Sequence, residues 1–303
     1  MAQLAILAVM LFWGLSFVAS KAILNTGFPP MTMVLIRFLI ASAILLPFQL
    51  RLGRRGAARA EGTAGAEGSS GRGGRLALLL SACFGIGLYF LFETRGIRLT
   101  SAANAALITA IIPALTVGAE YLLYRIVIRW HQGLGIALSV VGVYFIVQRS
   151  QGRYEDALWG NLAMLGACLC WVAYNLASRR AQASYSGMRL TTYQALIGAA
   201  VLLPMAIAEF RSWTLPGPGV WLELLYLGVV CSALSYFLYL YALSRLGAVA
   251  VTSYINLLPF IGAVGGVALL GERLLAVQVV GGLVVAAGVF LVNWRGRAAA
   301  PTR

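Results

Sequence analysis

The chain has 303 residues, of which 61% are hydrophobic and 11% charged, with a formal net charge of +14. A mean hydropathy of +0.87 excludes an ordinary water-soluble protein, although the length would hold two soluble domains. The basic residues fall mostly between apolar runs, where they set membrane topology and do not build a nucleic-acid surface.

A bilayer core about 30 Å thick needs roughly 20 apolar residues per helix. Ten such runs are marked along the chain, at approximately 3–24, 31–50, 76–96, 102–124, 131–149, 158–179, 189–209, 220–243, 249–270 and 275–294. The first has no basic stretch before it and is longer than a signal-peptide core, so it is expected to stay as a helix. After the second comes RLGRRGAARAEGTAGAEGSSGRGGR, residues 51–75, rich in Gly, Ala and Arg without apolar periodicity; a flexible loop is expected there. With the amino terminus inside, cytoplasmic segments carry fifteen Lys and Arg and external ones six. The positive-inside rule therefore predicts both termini in the cytoplasm. All four cysteines lie inside apolar runs, and Cys168 and Cys170 stand two apart, off a common helix face, so neither a disulfide nor a metal site is expected.

Writing the second half beneath the first at offsets of about 146 to 158 aligns features helix by helix, the signature of an internal repeat. FWGLSFVASK falls on CWVAYNLASR, matching Trp13 to Trp171 and Lys21 to Arg179, and ILLP at 44–47 falls on VLLP at 201–204. Tyr89 falls on Tyr236, Pro113 on Pro259, Gln132 on Gln278 and Gly142 on Gly288. Five helices per repeat is an odd number, so the second copy enters the membrane from the opposite side. The expected fold is an all-α membrane protein, ten transmembrane helices as two inverted five-helix repeats, 1–150 and 151–303, around a central cavity.

FWGLSFVASKAIL, RFLIASAILLP, TSAANAALITAIIPALTVGAEYLL and INLLPFIGAVGGVALLGERLLAVQVVGGLVVAAGVFLV together resemble the ten-helix EamA-type branch of the drug/metabolite transporter superfamily, over nearly the whole chain. Arg125-Ile126 stands where the second repeat has Gly271-Glu272, a departure from the pattern. The resemblance implies movement of small metabolites, often outward, including export of amino acids, some of them aromatic.

Candidate binding residues come from the residues themselves. Trp171, Tyr174, Asn175 and Ser178 share one helical face, and Trp13, Ser16, Phe17 and Ser20 form its counterpart; both tryptophans lie mid-span, away from the headgroup belts where membrane Trp usually sits. Such stripes suit a cavity wall or, alternatively, helix-to-helix packing. Ser235, Tyr236 and Tyr239, with Tyr89, add phenols and hydroxyls. Asn104, Tyr254 and Asn256 precede Pro113 and Pro259, each of which removes a backbone donor and leaves either an unwound stretch or a kink. Arg37 and Glu93 are intramembrane charges, functional by default. They would form an outer-gate ion pair that breaks and reforms during transport, or Arg37 would hold a substrate carboxylate with Glu93 titratable, or the two would be a static pair. Glu120 and Glu223 are expected to reach headgroups or loop arginines. Gly262 and Gly266, with Gly135, Gly142, Gly281 and Gly288, mark close helix packing around a rocking bundle or a dimer contact.

The single lysine, Lys21, is preceded by Ser20, so no P-loop and no ATP hydrolysis is expected. One histidine, His131, and neither H-E-x-x-H nor G-x-S-x-G leave metalloprotease and serine-nucleophile chemistry without parts. The expectation is a secondary transporter and not an enzyme, without cofactor, metal, ATP or nucleic acid. Its partners would be a small-molecule substrate and the lipid bilayer, as monomer or homodimer. Its solute would be a small amphipathic metabolite such as a neutral or aromatic amino acid, with cationic drug-like compounds as the alternative and an intramembrane enzyme the remote one. Twenty-two arginines against one lysine point to a bacterial inner membrane.

Overall fold

The computed structural model describes residues 1–60, 72–125, 129–148, 154–246, 254 and 257–293. Regular structure among them is helical throughout, because in hydrocarbon each backbone N–H and C=O must be satisfied within its own segment. In chain order the elements are α1 (Ala2–Asn25), α2 (Pro30–Ala60), α3 (Arg72–Ala82, then Cys83–Leu88 and Tyr89–Leu99) and α4 (Ala102–Thr109 and Ile112–Tyr124). They continue with α5 (Trp130–Gln148), α6 (Tyr154–Ala181), α7 (Gly187–Ala208), α8 (Pro218–Leu225, Tyr226–Leu234 and Ser235–Leu246), α9 (Leu258–Leu270) and α10 (Ala276–Asn293). Among the described residues, 7 of these are long and apolar enough to cross a bilayer, and shorter apolar helices at Trp130–Ile146, Leu258–Leu270 and Ala276–Val292 bring the set to ten. The protein is an all-helical, multi-pass membrane protein.

Residues 51–75 differ from expectation: α2 stays helical to Ala60 and α3 begins at Arg72. Arg and Ala are strong helix formers, and a helix already nucleated in the membrane extends into water residue by residue. The rest of that stretch lies outside the described residues. Before Pro113 the backbone tightens and does not unwind. Ala110 and Ile111 donate to Leu107 and Ile108 at 3.2 Å, and Leu257 donates to Tyr254 at 2.9 Å, each an i→i−3 bond directly before the proline-bearing helix start.

The inversion is visible in one helix pair. A Cβ on Gly135 would stand 2.5 Å from the Gly288 carbonyl oxygen, and one on Gly142 would stand 2.6 Å from that of Gly281. The register rises along α5 as it falls along α10, so the two repeat-related helices run antiparallel with backbones in contact. Gly135 and Gly281 are themselves repeat mates, as are Gly142 and Gly288. The two contacts exchange under the repeat. These four glycines thus pack helices within one chain, and the dimer contact considered for them is not their role here. Gln132 and Gln278 explain their own alignment: each side chain accepts the N–H three residues earlier, Arg129 and Leu275 respectively, both at 2.9 Å, to cap α5 and α10.

Side chains that cap neighbouring helices tie one end of the bundle. Glu272, after α9, accepts from the N–H groups of Ala102 (2.7 Å) and Ala103 (2.8 Å) at the start of α4. Lys21 donates to the carbonyls of Ile97 (2.7 Å) and Thr100 at the end of α3. Anion at the amino end and cation at the carboxyl end both complement the helix dipoles. Glu209, after α7, likewise accepts from Met31 (3.1 Å) and Thr32 (2.9 Å) at the start of α2. Glu120 meets Arg179 at 2.6 Å, the arginine contact expected for it, although exposure keeps such a pair weak.

Candidate functional site

A cavity, open at its mouth, lies between the two halves. Helix α1 contributes Trp13, Ser16 and Phe17, at the i, i+3, i+4 spacing that puts them on one face. Arg37 enters from α2, Tyr89, Phe90 and Glu93 from α3, and Thr109, Ala110, Ile112 and Pro113 from the break in α4. Trp171, Tyr236 and Leu258 close it from α6, α8 and α9.

Two aromatic couples frame this space. Trp13 lies 5.6 Å from Tyr236 with planes at 64°, and Trp171 lies 5.2 Å from Tyr89 at 53°. Trp13 and Trp171 are repeat mates, and so are Tyr89 and Tyr236, so each couple joins one repeat to the other and the two exchange under inversion. The Trp13 indole N–H donates to the Cys231 carbonyl at 2.8 Å, and the Ser16 hydroxyl to the Trp13 carbonyl at 2.7 Å. These bonds fix the ring and use up the polar groups that would otherwise be stranded in an apolar wall.

Tyr89 and Tyr236 both come after wide-turn π segments, Cys83–Leu88 in α3 and Tyr226–Leu234 in α8, at positions that correspond between the repeats. A π turn carries an extra residue, which rotates the remainder of the helix and frees a carbonyl. In α8 the Ser235 hydroxyl donates to the Val230 carbonyl at 2.7 Å, five residues back.

Both charges are on the cavity and nearly dry: Arg37 is 6% exposed and Glu93 5%. The Arg37 Nε donates to the Ser232 hydroxyl at 2.8 Å, and its guanidinium carbon lies 4.8 Å from the Phe90 ring centre, a cation–π distance. The Tyr89 hydroxyl donates to a Glu93 oxygen at 3.1 Å. Among the described residues, Arg37 and Glu93 make no ion pair or hydrogen bond with each other. This conformation holds no static pair between them, and two separated side chains are compatible with a gate pair that breaks and reforms during transport.

Several expected site residues lie elsewhere. Asn104, 0% exposed, donates to Asn161 (2.6 Å) and Thr100 (3.0 Å) and accepts from Gln278 (3.2 Å); it is glue between α4, α6 and α10, not cavity wall. Ser235 is spent on its own helix. Tyr239 stacks behind Trp13 at 5.5 Å, and Tyr254 packs with it against Ile6, Val9 and Met10. The α6 stripe divides. Trp171 reaches the cavity, whereas Tyr174 faces a second, smaller space with Gln194, Ser232 and Tyr236, and Ser178 accepts from Gln194 at 3.0 Å. Asn175 is half-buried and lines neither space. Asn256 lies outside the described residues.

Phe90, Thr109, Ala110, Ile112 and Leu258 were not anticipated as lining residues. A signal existed for Thr109, because Pro113 lacks the N–H that would have bonded the carbonyl four residues back. None existed for the apolar ones, which look like any membrane helix residue.

Ten helices, five in each of two matching halves with the repeat-related α5 and α10 antiparallel, about a central aromatic cavity that holds two buried charges, define a secondary transporter. The chain belongs to the EamA-like transporter family, whose sequence model matches residues 1–148 and again 158–294. That is a transporter family and not an enzyme family, and it implies a small-molecule substrate carried across a membrane. An uncharacterized transporter of Archaeoglobus fulgidus is 26% identical over 297 residues, 96% of each chain. A probable terminal-alkyne amino-acid exporter of Streptantibioticus cattleyicolor is 28% identical over 221 residues, 72% of this chain and 73% of that one. The threonine/homoserine exporter RhtA of Salmonella typhimurium is 30% identical over 149 residues, 48% of each. A crystal structure with 19% identity superposes with a TM-score of 0.61 over 96% of this chain and 95% of its own, a likeness of fold alone.

Proposed function

We propose that this protein exports small amphipathic metabolites, neutral or aromatic amino acids first, by alternating access through the central cavity. The observation that carries the proposal is the exchange of the Trp13–Tyr236 and Trp171–Tyr89 couples between repeats. A wall built twice in opposite orientation can open to either side by swapping the roles of its halves. The aromatic lining fits an amphipathic solute, and two of the relatives carry names of amino-acid exporters. With Arg37 the one basic group among its lining residues, the cavity is poorly suited to a phosphorylated substrate. In this proposal the halves are 1–150 and 151–303, both termini are cytoplasmic, the membrane is a bacterial inner membrane, and the unit is a monomer or homodimer.

Glu93 beside several rings also supports a second proposal, export of cationic drug-like compounds. Counterflow in proteoliposomes separates the two: labelled neutral and aromatic amino acids and quaternary amines, each with and without a pH gradient. Amino-acid exchange by the wild type, cut about tenfold or more in Trp13→Ala and Trp171→Ala with normal folding, is the expected result. Movement of quaternary amines alone would transfer the function to the second proposal.

A further inference from the structure

Arg37 and Glu93 border one cavity, are buried, and are not paired with each other, which is a costly way to keep two opposite charges in a membrane protein. Each is instead held by a neutral neighbour. Ser232 takes the Nε of Arg37 at 2.8 Å and the Phe90 ring stands 4.8 Å from the guanidinium carbon, which together fix the orientation of the fork. Among the described residues no hydrogen-bond partner takes its two terminal nitrogens, which present the end-on edge that matches a carboxylate. On the other side Tyr89 engages one Glu93 oxygen at 3.1 Å, leaving the second as an acceptor.

The geometry points to a divided zwitterion site: we propose that Arg37 takes the α-carboxylate of the substrate and Glu93 its ammonium group, with the substrate side chain among Trp13, Trp171 and Phe17. This deepens the amino-acid exporter proposal and rests on it. Neither charge has an opposite charge within salt-bridge distance among the described residues, and a zwitterion supplies both at once without changing the net charge of the site. An amine lacking the carboxylate strands Arg37, and an acid with a blocked nitrogen strands Glu93. A site that buries a charge rejects a ligand unable to pair with it far more strongly than it rejects one of slightly wrong shape.

The test uses three probes of one side-chain shape, L-phenylalanine, phenethylamine and N-acetyl-L-phenylalanine, as competitors and as substrates of the full-length protein in proteoliposomes. The wild type is expected to prefer phenylalanine to either analogue by about 100-fold. Arg37→Gln is expected to erase the preference over phenethylamine while keeping that over the acetylated acid, and Glu93→Gln the reverse. That crossed pattern is the diagnostic, because a folding defect lowers all three together. Ser232→Ala, which frees the fork while keeping the charge, should weaken the Arg37-dependent preference alone. If phenylalanine moves and the analogues move as well, or if folded variants show no crossed pattern, the zwitterion site is overturned and the exporter proposal stands. If the wild type moves no amino acid, the exporter proposal falls and the site falls with it.

Discussion

The fate of single polar residues turns on whether a neighbour already satisfies them. Asn104 is a candidate in the sequence because it lies upstream of Pro113, yet Thr100, Asn161 and Gln278 occupy its amide. Asn104→Leu is expected to destabilise the protein by about 1–3 kcal/mol. A lowered unfolding midpoint in detergent, with substrate preference unchanged in the folded fraction, would show it. A changed preference would return Asn104 to the cavity wall. Arg125 ends α4 with φ 55 in the left-handed region, where its repeat mate Gly271 has φ 65. A side chain disfavours that conformation by about 1–2 kcal/mol, part of which Gly gives back as extra freedom in the unfolded chain. Arg125→Gly should therefore raise the unfolding midpoint slightly; a fall would mean that the arginine side chain contributes something the left-handed turn does not reveal.

Between elements, contact distance decides. Alanine at Gly142 or Gly288 would place a Cβ 2.6 or 2.5 Å from a backbone carbonyl of the facing helix, so α5 and α10 must separate. We expect each to cost about 1–3 kcal/mol, read as a drop in midpoint, and Gly118→Ala, inside a helix with nothing within 4 Å of its Cβ, to leave the midpoint unchanged or slightly raised. An equal drop at all three would assign the effect to loss of glycine flexibility. The glycines were legible in the sequence as packing points, and the tryptophan stripe of α1 as a cavity face. The division of the α6 stripe was not. Helical periodicity assigns residues to a common face of about a quarter turn, and two chambers lie within that arc, one reached by Trp171 and the other by Tyr174. Nor do the π segments have a sequence signature, since one extra residue per turn is stabilised by tertiary contacts and not by propensity.

At the scale of the whole molecule, the odd number of helices per repeat and the arginine distribution make a joint prediction about sidedness. In intact bacteria, a membrane-impermeant thiol reagent is expected to label Gln151→Cys and to leave Ser69→Cys unlabelled until the cells are opened. The opposite pattern would invert the orientation. The Lys21 and Glu272 contacts that close the α3–α4 corner would then lie on the cytoplasmic side.

The sequence by itself determined that this is a membrane protein of ten helices, duplicated, with aromatic and charged residues at membrane depth, because hydropathy, span length and residue-by-residue correspondence are local properties that a chain carries before it folds. Only the tertiary structure decided which of those polar groups face open space. Asn104 and Ser235 found partners on neighbouring helices or their own backbone, while Arg37 and Glu93 were brought to one cavity and left apart. The reason is physical: hydrogen-bond satisfaction between helices depends on crossing angle, turn geometry and approach distance, and none of these is encoded in any one segment alone.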